Sequence, residues 1–407
     1  MDHVDRRYAN AGLQKTGSSL GEVLLKAALV QVGELLRLDR RHLSRLIKTY
    51  KRLCFDPDAY QSFRQKKKLG GWRVIEAPNA DLKMFQTLIL RNLLMPVYEP
   101  SRICHSASGR NILSNALHHL GVPLDVDDPD PSDEDIPWRF PRSILSIDIK
   151  GAFPSVQEDR VEDILWNLLG ENTPEAVIAV MLKILTWRGS IPQGAPTSPI
   201  LLNLACRDLD LALIREFERG PFRVTRYVDD ITVSSVHGSI SERKRQLLID
   251  LVTEHGFIIN ERKTWLARER SHVLRITGLN LVPNWRTVRL PASTISKFRS
   301  RLRGLYKNLR TEQLNFVTAI EEGVNPRELF FLQRKFPREQ KRRFGELMGI
   351  LGFCLLIHTY WPLPNRLLSW SRKGDAENLI RAARFCLRHD LTREEVLKAS
   401  QTAFSSG

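Results

Sequence analysis

Hydrophobic and polar positions follow two different periods along the first third of the chain. Residues 20 to about 53 repeat apolar positions at helical spacing with no Gly-Pro break, and they predict a helix. Residues 64–78 predict a β-hairpin that turns at its paired glycines, and residues 80–98 predict a second helix. Residues 122–138 are rich in Pro and acidic residues and show no periodicity, so we expect a solvated loop there.

From residue 143 onward, strand and helix patterns are mixed. SILSIDI (143–149) predicts a strand, VEDILWNLL (161–169) a helix, and IPQGAPTSP (191–199) a loop that leads into a long helix. A strand pair then turns at Asp229-Asp230. This order predicts an α+β fold with an antiparallel sheet and helices packed on one face. Beyond about residue 290 the chain is predicted to be helical and basic.

Two helix starts have recognisable capping patterns. Ser155, with Glu158 three residues later, predicts a capping box at the start of the helix after the first strand. Ser198 and Pro199 predict the cap and first turn of the long helix. The apolar face of that helix is expected to comprise Leu201, Ala205, Leu209, Leu213 and Phe217.

Composition indicates the kind of partner. The 407 residues allow two or three subdomains, and 62 Lys plus Arg against 46 Asp plus Glu give a formal charge of +16. Such a charge predicts a polyanionic partner, nucleic acid before an anionic membrane. The longest apolar stretch, at 347–357, is too short to span a bilayer and predicts a buried helix.

Targeting and cysteine patterns point to the cytoplasm. The first twenty residues have no apolar signal core, so we expect no export and no membrane association. The five cysteines are scattered without a Cys-x-x-Cys pair, which favours buried thiols over disulfides or a zinc ribbon.

Three carboxylates carry the candidate chemistry. Asp148 lies near the end of its strand, and Asp229 and Asp230 lie at the turn of the hairpin. If the two strands are neighbours, the three acids converge and need a counter-charge, which hard divalent cations usually supply. Two magnesium ions at such a cluster could activate a 3′-hydroxyl and stabilise a leaving pyrophosphate. A lone Asp at a strand end, or one Asp-Asp pair, is more often a cap or an ion-pair partner, so spacing alone does not decide.

Three motifs that occur in one order favour the catalytic interpretation of these acids over caps or ion pairs. SIDIKGAFPSV (146–156), IPQGAPTSPILLNL (191–204) and RYVDD (226–230) resemble the successive palm motifs of retron-type prokaryotic reverse transcriptases. The resemblance runs from about residue 45 to 290, and more loosely to the C-terminus. It implies a right-hand polymerase fold with fingers, palm and helical thumb, and an RNA-directed DNA polymerase activity.

The resemblance also implies domain boundaries. Residues 1–60 would form an N-terminal helical extension, and 61–142 the fingers with the acidic loop 122–138. The palm, with fingers helices interleaved, would cover 143–289. A helical thumb and RNA-binding region would cover 290–407.

By the same resemblance, Asp148, Asp229 and Asp230 become the catalytic ligands of two Mg²⁺ ions, with the backbone carbonyl of Ile149 assisting. Phe153 becomes the steric gate, because an aromatic ring beneath the sugar leaves no room for a 2′-hydroxyl.

Further residues are implied to bind the nucleotide. Gln193 would contact the incoming nucleotide and template, Arg73 and one of Lys66 to Lys68 would clamp the triphosphate, and Lys263 could act as a general acid. Lys66 and Lys67 could equally belong to a solvated face. The implied nucleotide-binding set is Lys68, Arg73, Gly151, Ala152, Phe153, Gln193 and Lys263.

Two further elements belong to the resemblance, although ITG (276–278) departs from the retron Val-Thr-Gly by one methylene. RITGLNLV (275–282) resembles the primer-gripping turn, with Thr277, Gly278 and Leu279 as the gripping residues. SNALHHLG resembles the retron Asn-Ala-x-x-His element, which implies RNA recognition by two of its residues, Asn115 and His119.

A metal site is an alternative for the histidine pair of that element, His118-His119. No Cys or acidic partner sits at ligand spacing from the pair, so surface or core histidines are favoured.

Retron enzymes recognise a structured noncoding RNA, prime from a 2′-hydroxyl of a guanosine within it and copy part of it into branched multicopy single-stranded DNA. The implied partners are therefore this RNA template-primer with its DNA product, dNTPs, and a separately encoded effector protein in anti-phage defence. The basic C-terminal helices, with Tyr360, Trp361 and Trp370, suit phosphate contacts and stacking on bases. A solvated bundle with core aromatics remains an alternative for those residues.

Other functions stay open. Group II intron reverse transcriptases are the nearest competitor, although no maturase or endonuclease cysteine motif follows the thumb. Other defence-associated reverse transcriptases, which prime on protein or work without template, are a second alternative. A catalytically dead RNA-binding scaffold is a third, but clustered carboxylates facing a polyanion argue against it.

Overall fold

The structure is a computed structural model, and it describes residues 19–55, 57–66, 71–107, 109–121, 140–282, 287–294 and 296–297. Contacts divide the chain into two compact units, Met1–Asn111 with Pro141–Arg270, and Ile112–Phe140 with Ser271–Gly407. The acidic loop, the apolar stretch at 347–357 and the C-terminal helices predicted from the sequence lie outside the described residues. Within the described ranges, no helix is long and apolar enough to cross a bilayer.

The N-terminal segment forms two helices, so the prediction of one uninterrupted helix was wrong. Helix α1 covers Ser19–Leu35 and α2 covers Arg40–Phe55. Between them Arg37 adopts a φ of 51°, a left-handed conformation that ends α1. The carboxylate of Asp39 then accepts a 2.8 Å hydrogen bond from the His42 amide, which starts α2 as an N-cap does.

The predicted hairpin is confirmed. Strands β1 (Tyr60–Lys66) and β2 (Trp72–Pro78) pair antiparallel. The chain continues into α3 (Ala80–Ile89), where Asn79 caps the helix by accepting a hydrogen bond from the Leu82 amide at 2.9 Å. A π-helical turn and a short helical turn extend α3 to Val97, so this part of the second predicted helix is also confirmed. The next helix, α4 (Ile112–His118), belongs to the second unit.

Strand β3 (Ser143–Asp148) leads into two helical segments, α5 (Ala152–Ser155) and α6 (Glu158–Leu169). The predicted capping box is wrong. Ser155 ends α5 and donates to the Ala152 carbonyl, while α6 starts after Gln157 without a side-chain cap.

A helix that the sequence analysis did not identify forms the centre of the core. Helix α7 covers Glu175–Leu185 and packs against α1, α3 and α6. Because it is apolar on nearly every side, it lacks the one-sided pattern that marks a surface helix. Its buried residues are Val177, Ile178, Ala179, Val180, Met181, Leu182, Ile184 and Leu185.

The predicted long helix is divided in two at Cys206. Helix α8 covers Ser198–Ala205 and α9 covers Arg207–Phe217. The expected apolar face is nevertheless buried throughout both helices. Thr197 takes the N-cap position that was predicted for Ser198, whose hydroxyl instead donates to the Pro192 carbonyl at 2.7 Å. Cys206 is a buried thiol, as expected.

One four-stranded sheet carries the three acids. Its other strands are β4 (Phe222–Tyr227), β5 (Asp230–Ser235) and β6 (Trp265–Arg268). The strand order is β4-β5-β3-β6 and every neighbouring pair is antiparallel, which agrees with the predicted α+β class. Helix α10 (Glu242–Glu254) joins β5 to the segment that leads into β6.

The second unit has its own small sheet. Strands β7 (Arg275–Ile276), β8 (Leu279–Val282) and β9 (Thr287–Arg289) pair antiparallel in sequence order. Helix α4 packs against all three strands.

Candidate active site

The sheet register brings the predicted acids together. Asp148, the last residue of β3, pairs directly with Asp230, the first residue of β5. Directly paired residues of an antiparallel sheet have Cα atoms about 4.5–5.5 Å apart and side chains on the same face. Asp229 lies in the two-residue turn that joins Tyr227 of β4 to Asp230. The predicted neighbourhood of β3 and the Asp-Asp hairpin is therefore present.

Backbone hydrogen bonds fix this edge of the sheet. The Ile149 amide donates to the Asp229 carbonyl at 2.8 Å, which attaches the turn to the end of β3. The Asn260 amide donates to the Asp148 carbonyl at 2.7 Å and the Lys150 amide to the Ile258 carbonyl at 2.7 Å. These bonds position the acids before any ligand binds.

Burial and nearby carboxylates raise the pKa of two of these acids, Asp229 and Asp230. Burial, followed by the charge of Asp148, raises the pKa of Asp229. Burial raises the pKa of Asp230 to about 6, against a hydrogen bond from Ser146 that lowers it. A cation at this edge would relieve both effects.

Two of the three carboxylates, those of Asp148 and Asp230, accept hydrogen bonds from neighbouring side chains. Lys263 donates to Asp148 at 2.6 Å, Asn260 donates to its other oxygen at 3.2 Å, and Ser146 donates to Asp230 at 2.8 Å. In this arrangement the described residues include no group of three or more His, Cys, Asp or Glu side chains arranged to hold a metal ion. The oxygen donors fit magnesium in kind. In this arrangement the Lys263 ammonium occupies one carboxylate oxygen of Asp148.

The loop that was predicted to contact the nucleotide packs against strand β2. The Gln193 carbonyl accepts a 2.9 Å hydrogen bond from the Glu76 amide of β2. Gly194 has a φ of 145°, and a Cβ there would lie 2.6 Å from the Glu76 carbonyl oxygen. Only glycine fits this contact, which explains why the motif has glycine after Gln193.

The other residues predicted to bind the nucleotide differ in their exposure to solvent. Phe153 is half-buried beside fully buried Ala152, and Gly151 starts α5 with a φ of 61°. Arg73 is exposed on β2, and its charge lowers the pKa of Asp229 as the smallest of several influences. Lys68 lies outside the described residues.

In the second unit, the predicted gripping turn is present. Thr277 and Gly278 link β7 to β8 with φ values of 43° and 86°, and Leu279 is buried. Asn115 and His119 are 1% and 0% exposed, so they offer no surface for direct RNA recognition in the described structure. Asn115 instead donates to the Thr277 hydroxyl at 3.4 Å, which makes it a support of the turn.

Two side chains behind the turn at Val228 and Asp229, Arg226 and Asp210, were not predicted from the sequence. Arg226 is fully buried and forms a two-bond ion pair with Asp210 of α9, at 2.6 and 2.8 Å. A signal was available, because a charged residue next to the apolar face of a helix and an Arg inside a buried strand each require a partner. The sequence did not indicate that they were partners of each other.

Comparison with known proteins identifies the family. The family described as reverse transcriptase (RNA-dependent DNA polymerase) matches residues 64–281, more than half of the chain. The chain is 30% identical to the retron Ec86 reverse transcriptase of Escherichia coli, over 51% of this chain and 58% of that protein. It is 29% identical to the retron Mx65 reverse transcriptase of Myxococcus xanthus, over 65% of this chain and 60% of that protein. The chain spans less than two thirds of the length of either relative.

Among solved structures, apo telomerase from Candida tropicalis superposes with a TM-score of 0.42 and 12% identity, covering 85% of this chain and 57% of that chain. The retron-type resemblance and the right-hand polymerase class predicted from the motifs are confirmed by the family match and the retron relatives. The chain belongs to the reverse transcriptase (RNA-dependent DNA polymerase) family.

Proposed function

We propose that this protein is an RNA-directed DNA polymerase that extends a primer by nucleotidyl transfer at Asp148, Asp229 and Asp230. The observation that carries the proposal is the direct pairing of Asp148 with Asp230, beside Asp229, in a chain of the reverse transcriptase family. A charge cluster of this kind has no structural use unless a cation or a charged reactant meets it.

The carboxylates would hold two Mg²⁺ ions, which when bound activate a 3′-hydroxyl and neutralise a leaving pyrophosphate. The Ile149 carbonyl is proposed as an additional oxygen ligand. Lys263 already bonds Asp148 at 2.6 Å, so its ammonium is close enough to the acids to protonate a leaving group after it is released from that carboxylate.

The nucleotide would lie against α5 and the fingers hairpin. Half-buried Phe153 would exclude the 2′-hydroxyl, and the backbone of Gly151 and Ala152 would approach the sugar and phosphates. Gln193 would contact the base pair being formed, and Arg73 with Lys68 would neutralise the triphosphate. Thr277, Gly278 and Leu279 are proposed to contact the primer backbone.

The proposed partner is a structured noncoding RNA that serves as template and primer. The net charge of +16 supports it, as does the outer face of α2, where Arg41, Arg45 and Lys48 are exposed. As in the retron resemblance, synthesis would start from a guanosine 2′-hydroxyl and give branched multicopy single-stranded DNA. A cytoplasmic role in anti-phage defence with a separate effector protein belongs to the same proposal, as do the fingers, palm and thumb boundaries given above.

Replacing two acids tests the activity. Asp229→Asn with Asp230→Asn should abolish dNTP incorporation in primer extension while RNA affinity, measured by filter binding, stays within about twofold, because only metal ligands are lost. Asp250→Asn is the matched control, since its exposed carboxylate contacts Gln246 on α10. Retained synthesis in the double variant would refute the assignment.

Sequencing nucleic acid that copurifies with the expressed protein tests the priming mode. A short DNA joined 2′ to 5′ to RNA is the expected product. Linear cDNA alone, or DNA attached to protein, would favour another class of bacterial reverse transcriptase.

A further inference from the structure

A buried polar cluster lies directly behind the two-residue turn of Val228 and Asp229, which we call the catalytic turn. Among the described residues, Arg226 is the largest side chain that is fully buried, at 0% exposure. Asp210 is 1% exposed and Asn203 is 6% exposed. The cluster contains a full charge pair in the core, which requires a physical reason.

The guanidinium of Arg226 connects two helices to the turn. Its Nε and Nη2 donate to the two carboxylate oxygens of Asp210 at 2.6 and 2.8 Å. Its Nη1 donates to the Asn203 side-chain oxygen at 3.0 Å and to the Val228 carbonyl at 3.1 Å. One planar group thus holds α8, α9 and the residue before Asp229 in a fixed relation.

The turn needs such support because its first residue is poorly suited to it. Val228 has a φ of 60°, a left-handed conformation that is unfavourable for a β-branched residue. Hairpin turns of two residues usually carry Asn-Gly at this point. The Val228 carbonyl is held by Arg226 and the Asp229 carbonyl by the Ile149 amide, so consecutive peptide groups are fixed.

A loop packed behind the cluster limits how far it can move. Ser101 donates to Asp210 at 2.9 Å and Ser106 donates to Asn203 at 3.1 Å. The same loop pairs with the backbone of Arg226, whose amide donates to the Ile103 carbonyl at 2.8 Å and whose carbonyl accepts from the His105 amide at 2.9 Å.

Stability alone is a weak reason for this arrangement. Replacing both partners of a buried ion pair by apolar residues of similar volume is often neutral or stabilising, because desolvation offsets the attraction. The planar fork supplies something an apolar pair does not, namely a fixed position for the Val228 carbonyl.

We propose that Arg226, held by Asp210 and Asn203, is a positioning residue that sets the placement of Asp229 for metal binding and catalysis. This inference rests on the proposed polymerase function, and it assigns a role to a buried pair that touches neither substrate nor metal.

The deciding experiment uses the full chain with Arg226→Met and Asp210→Leu combined. This variant removes both charges, so its urea unfolding midpoint should stay close to that of the parent. Its kcat should nevertheless fall about 100-fold, the cost of a misplacement near 1 Å. The Mg²⁺ concentration for half-maximal rate should rise about tenfold, and KM for dNTP and RNA affinity should change less than threefold.

Two further variants keep the test interpretable. Arg226→Lys keeps the charge but cannot reach Asp210, Asn203 and the Val228 carbonyl together, so it should show the same shift in Mg²⁺ dependence. Asp208→Asn is the matched control, because it changes an exposed carboxylate of the same helix, α9, and should leave kcat and Mg²⁺ dependence unchanged. If the double variant is too unstable to purify, Asn203→Ala provides the same comparison with a smaller effect.

A folded double variant with the parent kcat and Mg²⁺ dependence would overturn the positioning role. A loss of rate without any change in Mg²⁺ dependence would also overturn it, since a structural defect alone explains that result. Failure of the polymerase proposal is distinguishable, because the parent protein itself would then not extend a primer.

Discussion

Two short turns in this chain each contain a non-glycine residue with a positive φ, and different side chains hold the two turns in place. The catalytic turn has Val228 at a φ of 60°, and the turn between β7 and β8 has Thr277 at 43°. The first is fixed by the buried charge of Arg226, at 3.1 Å from the Val228 carbonyl. The second is fixed by neutral groups, because the Thr277 hydroxyl donates to the Ile112 carbonyl at 3.0 Å and accepts from Asn115 at 3.4 Å.

The difference follows from what each turn carries. The catalytic turn holds two adjacent carboxylates that repel each other and Asp148, so a weakly held backbone would let them separate. The other turn carries no charge, and ordinary hydrogen bonds are sufficient there. A buried ionic support is therefore expected where like charges must be kept together, and a neutral one elsewhere.

The largest expected effect on kcat comes from removing the charge of Asp148, at the end of β3. Asp148→Asn keeps the side-chain shape but should lower kcat roughly 1,000-fold, since several kcal/mol of metal-dependent charge stabilisation is lost. Single-turnover primer extension measures this. Asp208→Asn, an exposed acid on α9, is the control and should retain full rate. An Asp148→Asn enzyme within tenfold of the parent would contradict the site.

Removing one partner of the ionic support should cost more stability than any change at the neutral turn. Arg226→Ala leaves Asp210 buried and unpaired, so the free energy of unfolding should fall by about 3–5 kcal/mol. Urea denaturation of the two proteins measures it. A loss below about 1 kcal/mol would mean that the pair is not the support described above.

The position of Phe153 next to this fixed edge predicts a size filter. Phe153→Ala should reduce discrimination between dNTP and rNTP by about 100-fold, since the pocket would then accept a 2′-hydroxyl. Competing incorporation assays measure the ratio, and Phe63→Ala, on the exposed side of β1, is the control. Unchanged discrimination would mean that Phe153 does not contact the sugar of the incoming nucleotide.

The raised pKa of Asp230, about 6, predicts a pH-dependent stability in the metal-free protein. Between about pH 4 and 6 the folded state binds this proton more tightly than the unfolded state, so stability falls as pH rises through that window. The free energy of unfolding of Asp230→Asn should therefore match that of the parent near pH 4 and exceed it by on the order of 2 kcal/mol at pH 7, or roughly 2–3 °C in Tm for a chain of this length.

Thermal unfolding in EDTA measures this difference. Added Mg²⁺ should stabilise the parent at pH 7 and leave Asp230→Asn unchanged. A variant that is less stable than the parent at pH 7 without metal would show that burial of the ionised Asp230 carboxylate does not lower the stability of the folded protein.

The smallest effect on stability is expected at the turn between β7 and β8. Asn115→Ala removes the bond to Thr277 and should lower the free energy of unfolding by about 1 kcal/mol. Loss of RNA binding with no loss of stability would instead return Asn115 to the recognition role implied by resemblance.

Motifs and local patterns were sufficient for part of this description. The hairpin of β1 and β2, strand β3 and the pairing of Asp148 with the Asp-Asp turn followed from alternation and from the motif order. These features depend on nearby residues or on a family-wide signature.

Other features could not be read from the sequence, because they depend on tertiary packing or on the backbone conformation of a single residue. The Arg226–Asp210 pair joins a strand to a helix, and Asn115 bonds a turn residue, Thr277, 162 positions away. Helix α7 is buried on all sides and gives no one-sided pattern, while the break after α1 depends on one left-handed residue, Arg37.

Iron-directed cleavage tests the central claim most directly. When Fe²⁺ replaces Mg²⁺ in the presence of ascorbate and peroxide, hydroxyl radicals cut the chain beside the bound ion. The account predicts cuts close to Asp148 and to Asp229-Asp230, suppressed by excess Mg²⁺ and absent from the Asp229→Asn, Asp230→Asn variant. Cuts confined to other segments, or cuts at these positions that persist in the double variant, would contradict it.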